Sequence, residues 1–447
     1  MDKIAGLPFY PVQITKQGKI FSQEEKEAIE NAVSQSDADK LTDLVVMSHG
    51  WNNDMADARQ LYNKLFTNLA AIIPEHPEAG NRRLAIVGVF WPSKKFADED
   101  LIPAGDAASI GDEGPEPTSA ALKEKLEKLK GTFDGPDESA LEEAKGLVDR
   151  LEENPTNQKK FVDLIRSVLP AHPSDSTDDA SDLFMKMPGD RIFQSLAPPS
   201  MFAVVPPAGD FGDAQGGALM IDDQSGAAAG FFDDLFSGIK AAAWRLLNFA
   251  TYYQMKERAG LVGKGLNEML DSVRKRGPKL RVHLIGHSFG ARVVTSAVDG
   301  PSQFQPSSLT LLQGAFSHNG FAEKFDQTKD GFFRKVVAQS KVNGPIIVTH
   351  TINDRAVGIA YPIASRLAND DATAVGDEND VFGGIGRNGA VKMKEKEFIK
   401  ALLLPDAGKY QFLPKKVHNL RADQFITGHS DVTGRQVANA IIHAVLS

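Results

Sequence analysis

The chain contains no cysteine in 447 residues. That excludes disulfides, a thiolate nucleophile and cysteine-ligated zinc. It also lacks an excess of positive charge. Lys and Arg number 50 against 59 Asp and Glu, a formal charge of −9. A nucleic-acid binder would show a basic surface instead. No basic-then-apolar pattern opens residues 1–17, so no signal peptide is read there. The most noticeable uncharged run, residues 192–209, is interrupted by Pro198, Pro199, Pro206 and Pro207. Those prolines rule out an ordinary membrane helix in that run. A soluble, cytoplasmic protein is expected, with export by a route that needs no signal peptide left open.

What is present is an alternation of strand-like and helix-like segments. Residues 10–21 read as a strand or hairpin turning at Gly18, and residues 23–34 as a polar helix. The runs 44–47, 84–90 and 280–285 read as buried strands, and 309–312, 345–350 and 417–420 as further strands. Helical spacing covers 54–73, a long stretch ending at Arg276 with a break near Gly260, and 431–446. Strands alternating with helices imply βαβ units and a mostly parallel sheet flanked by helices. Residues 93–243 interrupt this rhythm with charged helices and a Pro-, Gly- and Ala-rich tract, and read as an inserted, mainly helical cap. The expected division is 1–92 and 244–447 for the two parts of the core, with the cap between.

Gly286-His287-Ser288-Phe289-Gly290 stands between the strand-like run 280–285 and the helix-like run 291–298. Strand, G-x-S-x-G, helix is a nucleophile elbow, in which the glycines let the chain turn sharply and Ser288 projects above the sheet. A serine needs a base, and the base needs an orienting acid. Asp354 follows the strand at 345–350. His429 lies between the final strand and the final helix, which favours it over His418 inside that strand. The later acids Asp370, Asp371, Asp377 and Asp380 sit in a polar run. An oxyanion hole would take the Phe289 N–H and that of Trp51, or of Asn52, in the loop Ser48-His49-Gly50-Trp51-Asn52-Asn53. His49 reads as a brace for that loop. His49, Phe316, His318 and Tyr361 are the candidates for a substrate pocket.

On these residues the sequence resembles the serine-hydrolase branch of the α/β-hydrolase superfamily, of the esterase and lipase type. The likeness covers residues 10–92 and 244–447, not 93–243. It implies an ester hydrolase with a Ser288–His429–Asp354 triad, acting on a small-molecule or lipid-like ester without metal or organic cofactor. An amidase, peptidase or acyltransferase would use the same groups, and a non-catalytic interaction protein on that scaffold is a third reading. Interfacial contact through the cap, the natural substrate and the oligomeric state stay open.

Two further patterns suggest nothing catalytic. Gly384-Ile385-Gly386-Arg387-Asn388-Gly389 spells G-x-G-x-x-G, but lacks the preceding buried strand and following apolar helix that a dinucleotide site needs. It reads as a flexible loop or hairpin turn. The acids at 370–380 lack the spacing of a calcium loop and read as solvated. Trp244, Phe249, Tyr252 and Tyr253 recur at helical spacing and read as core before an acyl-pocket lining or a membrane-facing patch.

Overall fold

The computed structural model describes residues 2–34, 41–51, 53–93, 118–135, 139–170, 181–197, 238–302, 304–354, 356–357 and 382–447. Asn52, Tyr361, the acidic run 370–380 and the whole Pro-, Gly- and Ala-rich tract lie outside them.

The apolar runs do form strands, and they lie side by side in one sheet. In chain order the strands are β1 (Asp2–Ile4), β2 (Leu7–Gln13), β3 (Asp43–Ser48), β4 (Leu84–Phe90), β5 (Arg281–His287), β6 (Ser308–Leu312), β7 (Ile346–His350), β8 (Phe398–Leu402) and β9 (Val417–Arg421). Their spatial order is β1-β2-β4-β3-β5-β6-β7-β9-β8. Every neighbouring pair is parallel except β1–β2. The central strands are buried along almost their whole length because helices cover both of their faces. Alternate residues serve opposite layers. Leu44, Val46, Val87 and Leu284 join one buried cluster, while Val45, Met47, Ile86 and Ile285 join the other.

The first layer holds α1 (Gln23–Val33), α8 (Ile239–Arg276) and α9 (Phe289–Asp299). The second holds α2 (Met55–Ile72) and α12 (Arg435–Leu446). Asp54 fixes the start of α2 by accepting from the Ala56 and Asp57 N–H groups at 2.8 and 2.9 Å. Asp57 bonds back to the Asp54 N–H, completing a capping box worth on the order of 1 kcal/mol. The chain leaving β3 is thereby stopped within a few residues.

Helix α8 runs unbroken for 38 residues, through Gly260. The expected break is absent because nothing there demands one: Gly260 has open space where a side chain would stand. Gly263 serves packing instead. A Cβ on it would lie 2.5 Å from the Ser296 Cβ and the Val293 carbonyl of α9. The charged helices of the interrupting region are α3 (Ser119–Lys128), α4 (Ser139–Leu147), α5 (Pro155–Ser167), α6 (Ser181–Lys186) and α7 (Gly189–Leu196). They share a continuous apolar cluster with the amino-terminal half of α8. Phe184 meets Phe249 at 4.9 Å between ring centroids, and Arg245 donates to the Leu196 carbonyl. Trp244, Phe249, Tyr252 and Tyr253 are all buried. The boundary expected at 243 thus falls inside one helix that serves both the interrupting helices and the sheet.

Two strands escaped the sequence reading. β1 is short and mostly exposed, and β8 is a half-buried edge strand preceded by alternating charges. At the amino ends of the central strands a polar cluster ties three of them together. His283 on β5 lies 2.8 Å from the Ser308 hydroxyl on β6 and 3.1 Å from Asp43 on β3. Arg82 and Arg281 complete the ring around that carboxylate.

Candidate active site

At the carboxyl end of β5 the backbone turns at Ser288, with φ 56° and ψ −124°, and α9 begins at the next residue. A non-glycine residue is strained there, by roughly 1–3 kcal/mol. The neighbours explain why the turn cannot relax. A Cβ on Gly286 would come 2.3 Å from the Gly290 carbonyl oxygen, and one on Gly290 would come 2.1 Å from the Ser48 carbonyl oxygen. Both flanking positions therefore exclude side chains. The Ser288 N–H donates to the Leu312 carbonyl at 3.1 Å, and the Ser288 carbonyl accepts from Ala291 and Ala315 at 3.0 Å. Ser288 is 2% exposed.

The loop after β3 approaches the elbow from the side. A Cβ on Gly50 would lie 2.7 Å from the Ser288 Cβ and 3.2 Å from its Oγ. β3 and β5 are neighbours whose outgoing helices, α2 and α9, go to opposite faces of the sheet. Their two loops diverge and leave a crevice at the strand carboxyl ends, the usual place for a ligand in an open parallel sheet. Trp51 follows Gly50 and meets the Phe289 ring edge-on at 6.2 Å. Among the described residues neither the Trp51 nor the Phe289 N–H donates to a backbone carbonyl. For Phe289 this follows from its place as the first residue of a helix.

His49 is fully engaged beneath this loop. Its Nδ1 lies 2.9 Å from the Gly50 carbonyl and its Nε2 accepts from the Trp91 N–H at 3.2 Å. The Tyr62 hydroxyl accepts from the His49 N–H and donates to the Val89 carbonyl. Burial pushes the imidazole down to about 4, and it stacks on Trp91 at 5.6 Å. Such a ring is a neutral brace with no nitrogen left for a substrate.

Asp354 sits past β7 and is 0% exposed. Its Oδ1 accepts from the Val357 N–H at 3.0 Å. Its Oδ2 accepts from His429 Nδ1 at 2.8 Å and Gln313 Nε2 at 3.3 Å. Burial raises the carboxyl pKa, but the adjacent His429 and these donors outweigh it, and the net direction is downward. An ionised Asp354 fixes the proton of His429 on Nδ1 and leaves Nε2 as an acceptor. That Nε2 is buried and has no hydrogen-bond partner among the described residues. Opposite it, His287 of the elbow strand contacts His429, with ring centroids 5.1 Å apart. Ser288, the His429–Asp354 pair and the Trp51 and Phe289 N–H groups all belong to segments at the carboxyl end of the sheet.

Several supporting residues were not legible in the sequence. Gln313 adopts φ 45°, bonds Asp354, the Gly386 carbonyl and Thr349, and so anchors the acid. Asn353 donates to the Asp423 and Ile426 carbonyls, tying the acid loop to the loop that carries His429. The G-x-G-x-x-G stretch is neither flexible loop nor hairpin. It forms one helical turn, α11 (Ile385–Asn388), packed on the loops after β6 and β7. A Cβ on Gly386 would lie 2.5 Å from the Gln313 backbone, so its glycine allows that close seat. Phe316 is buried among Phe321 and Phe333, and His318 lies buried beneath the 383–391 segment, bonded to Gly383 and Asn388. Among the described residues no group of His, Asp and Glu could hold a metal ion, and no helix is long and apolar enough to cross a membrane.

No known family pattern, curated protein or solved structure matches the chain, so the site is read from its own geometry.

Proposed function

We propose that this protein is a serine hydrolase of the α/β-hydrolase type that cleaves carboxylic esters. The reading rests on one juxtaposition: a serine in a strained strand-to-helix turn, flanked by the β3 loop, with a His–Asp pair on the loops after β9 and β7. The parallel sheet with an elbow at the end of its central strand supports the same assignment.

In the proposed reaction His429 Nε2 takes the Ser288 hydroxyl proton as Oγ attacks the ester carbonyl. Asp354 holds the imidazole in the productive tautomer and stabilises its charged form. The Trp51 and Phe289 N–H groups receive the oxyanion, where each donor is worth about 3 kcal/mol. Collapse expels the alcohol, which takes its proton from His429. Water, deprotonated by His429, then attacks the acyl-enzyme and releases the acid and Ser288.

Labelling with a fluorophosphonate tests this directly. Wild-type protein should be labelled on Ser288, and Ser288→Ala should be inert. Ester turnover should fall on the order of 10⁵- to 10⁶-fold in that variant. A variant that kept a tenth of the wild-type rate would remove the assignment. Rates on matched ester and amide substrates, and with added alcohol acceptors, decide which bond and acceptor the site prefers.

A further inference from the structure

The triad gives His287 no task, yet His287 stands between its two halves. It immediately precedes Ser288 and is 3% exposed. Its Nε2 lies 3.0 Å from the His429 carbonyl oxygen, so Nε2 carries the proton and donates. Nδ1 is then a bare acceptor, buried, with no donor among the described residues. Burial, aided by the neighbouring His429, pushes the ring down to about 3, so it stays neutral at any working pH.

Packing alone does not account for this residue. Leucine or phenylalanine would fill the space without an orphaned ring nitrogen, and a buried polar atom with no partner calls for a reason. What the imidazole supplies, and an apolar side chain cannot, is a donor to the main chain of His429. We infer that His287 is a positioning residue: its Nε2–H holds the backbone of the base-bearing loop against the elbow strand, and so sets the reach from His429 to Ser288. The inference rests on the proposed roles of those two residues.

The mechanics are simple. Asp354 grips His429 by one ring nitrogen, which leaves the ring able to pivot about that bond. A second grip on the His429 carbonyl, from the residue next to the nucleophile, removes that freedom. A neutral ring also does this without opposing the positive charge that forms on His429 during attack.

Two variants separate the donor from the volume. His287→Leu keeps bulk and loses the donor. His287→Gln places an amide N–H near the position of Nε2. At intact circular dichroism, His287→Leu should slow fluorophosphonate labelling and kcat by about 10- to 100-fold with KM unchanged, and His287→Gln should stay within about threefold of wild type. A leucine variant at the wild-type rate, or equal losses in both, overturns the proposal. The bond can also be read in wild-type protein, where no variant needs to fold. Nitrogen-15 histidine spectra should show His287 as the Nε2–H tautomer, with no titration between about pH 5 and 8. An Nδ1–H tautomer, or titration in that window, overturns it. These spectra report the His287–His429 bond alone, whereas failure of wild-type labelling would strike the hydrolase reading instead.

Discussion

Gly50→Ala is the substitution that asks most of the geometry. The added Cβ would begin 2.7 Å from the Ser288 Cβ. Carbon atoms in contact settle at about 3.5–4.0 Å, so roughly 1 Å of separation must be found. Backbone strain does not contribute, because Gly50 does not occupy the left-handed region. Ser288 has little room to yield, since Gly286 and Gly290 are wedged against backbone on both sides. The displacement therefore falls on the β3 loop and its Trp51 N–H, on the serine hydroxyl, or on both. A misplacement of about 1 Å at reacting groups can cost on the order of 100-fold in rate. Overpacking of this size should cost about 1–3 kcal/mol of stability as well. The assay is the second-order rate of fluorophosphonate labelling, corrected for folded fraction by circular dichroism. Gly146→Ala serves as control, because it lies in α4 with open space around it. A Gly50→Ala protein that is folded and labelled within about twofold of wild type would refute the placement of the β3 loop against Ser288.

Asp354→Asn should lower kcat by about 10⁴-fold, because the amide no longer enforces the Nδ1–H tautomer of His429; a loss below about tenfold would move the acid elsewhere. Gln313→Leu strips one donor from Asp354 and one from the Gly386 carbonyl, both buried. It should cost about 1–3 kcal/mol in urea unfolding, and wild-type stability would show that these bonds contribute nothing. Acid sensitivity should trace partly to Asp43. Burial raises its carboxyl pKa, but bonds from His283, Arg281 and Thr42 outweigh it and hold the value well below the ordinary range. A folded-state pKa below the unfolded one contributes stability above about pH 4, and that contribution is lost as pH falls toward the folded value. Wild-type urea midpoints should therefore drop between pH 5 and 3 more than those of Asp43→Asn, which starts lower at pH 7. Parallel curves would exclude Asp43 as the source.

The sequence was most informative where structure is local. Runs such as 44–47 and 84–90 carry no polar side chain because both of their faces are covered, and that signal survives without any tertiary knowledge. The elbow was legible for a similar reason, since its glycines, serine, strand and helix are contiguous. β8 was not, because an edge strand buries little and its alternation is blurred by Lys400 and an exposed Leu402. Gly260 suggested a break in α8 that the unbroken helix does not show. Gln313, Asn353 and His287 were passed over because their partners lie on other loops. Gln313 meets Asp354, and His287 meets the carbonyl of His429, only after the sheet has assembled. The G-x-G-x-x-G stretch carries the same lesson from the other side, as a pattern whose glycines serve close packing against Gln313.

The sheet holds two sets of aspartate, histidine and serine, one at each end of its strands. Asp43, His283 and Ser308 lie on β3, β5 and β6, and hydrogen-bond distances link all three. Yet Ser308 opens a strand, is 1% exposed, and gives its hydroxyl to a histidine already walled in by neighbouring strands. It is held inside the β5–β6 ladder, paired with His283, rather than at a turn beyond a strand's end. Identical side chains therefore act as a rivet at one end and are proposed as a reagent at the other. The difference lies in the backbone, since only the serine in the left-handed turn stands where two loops part.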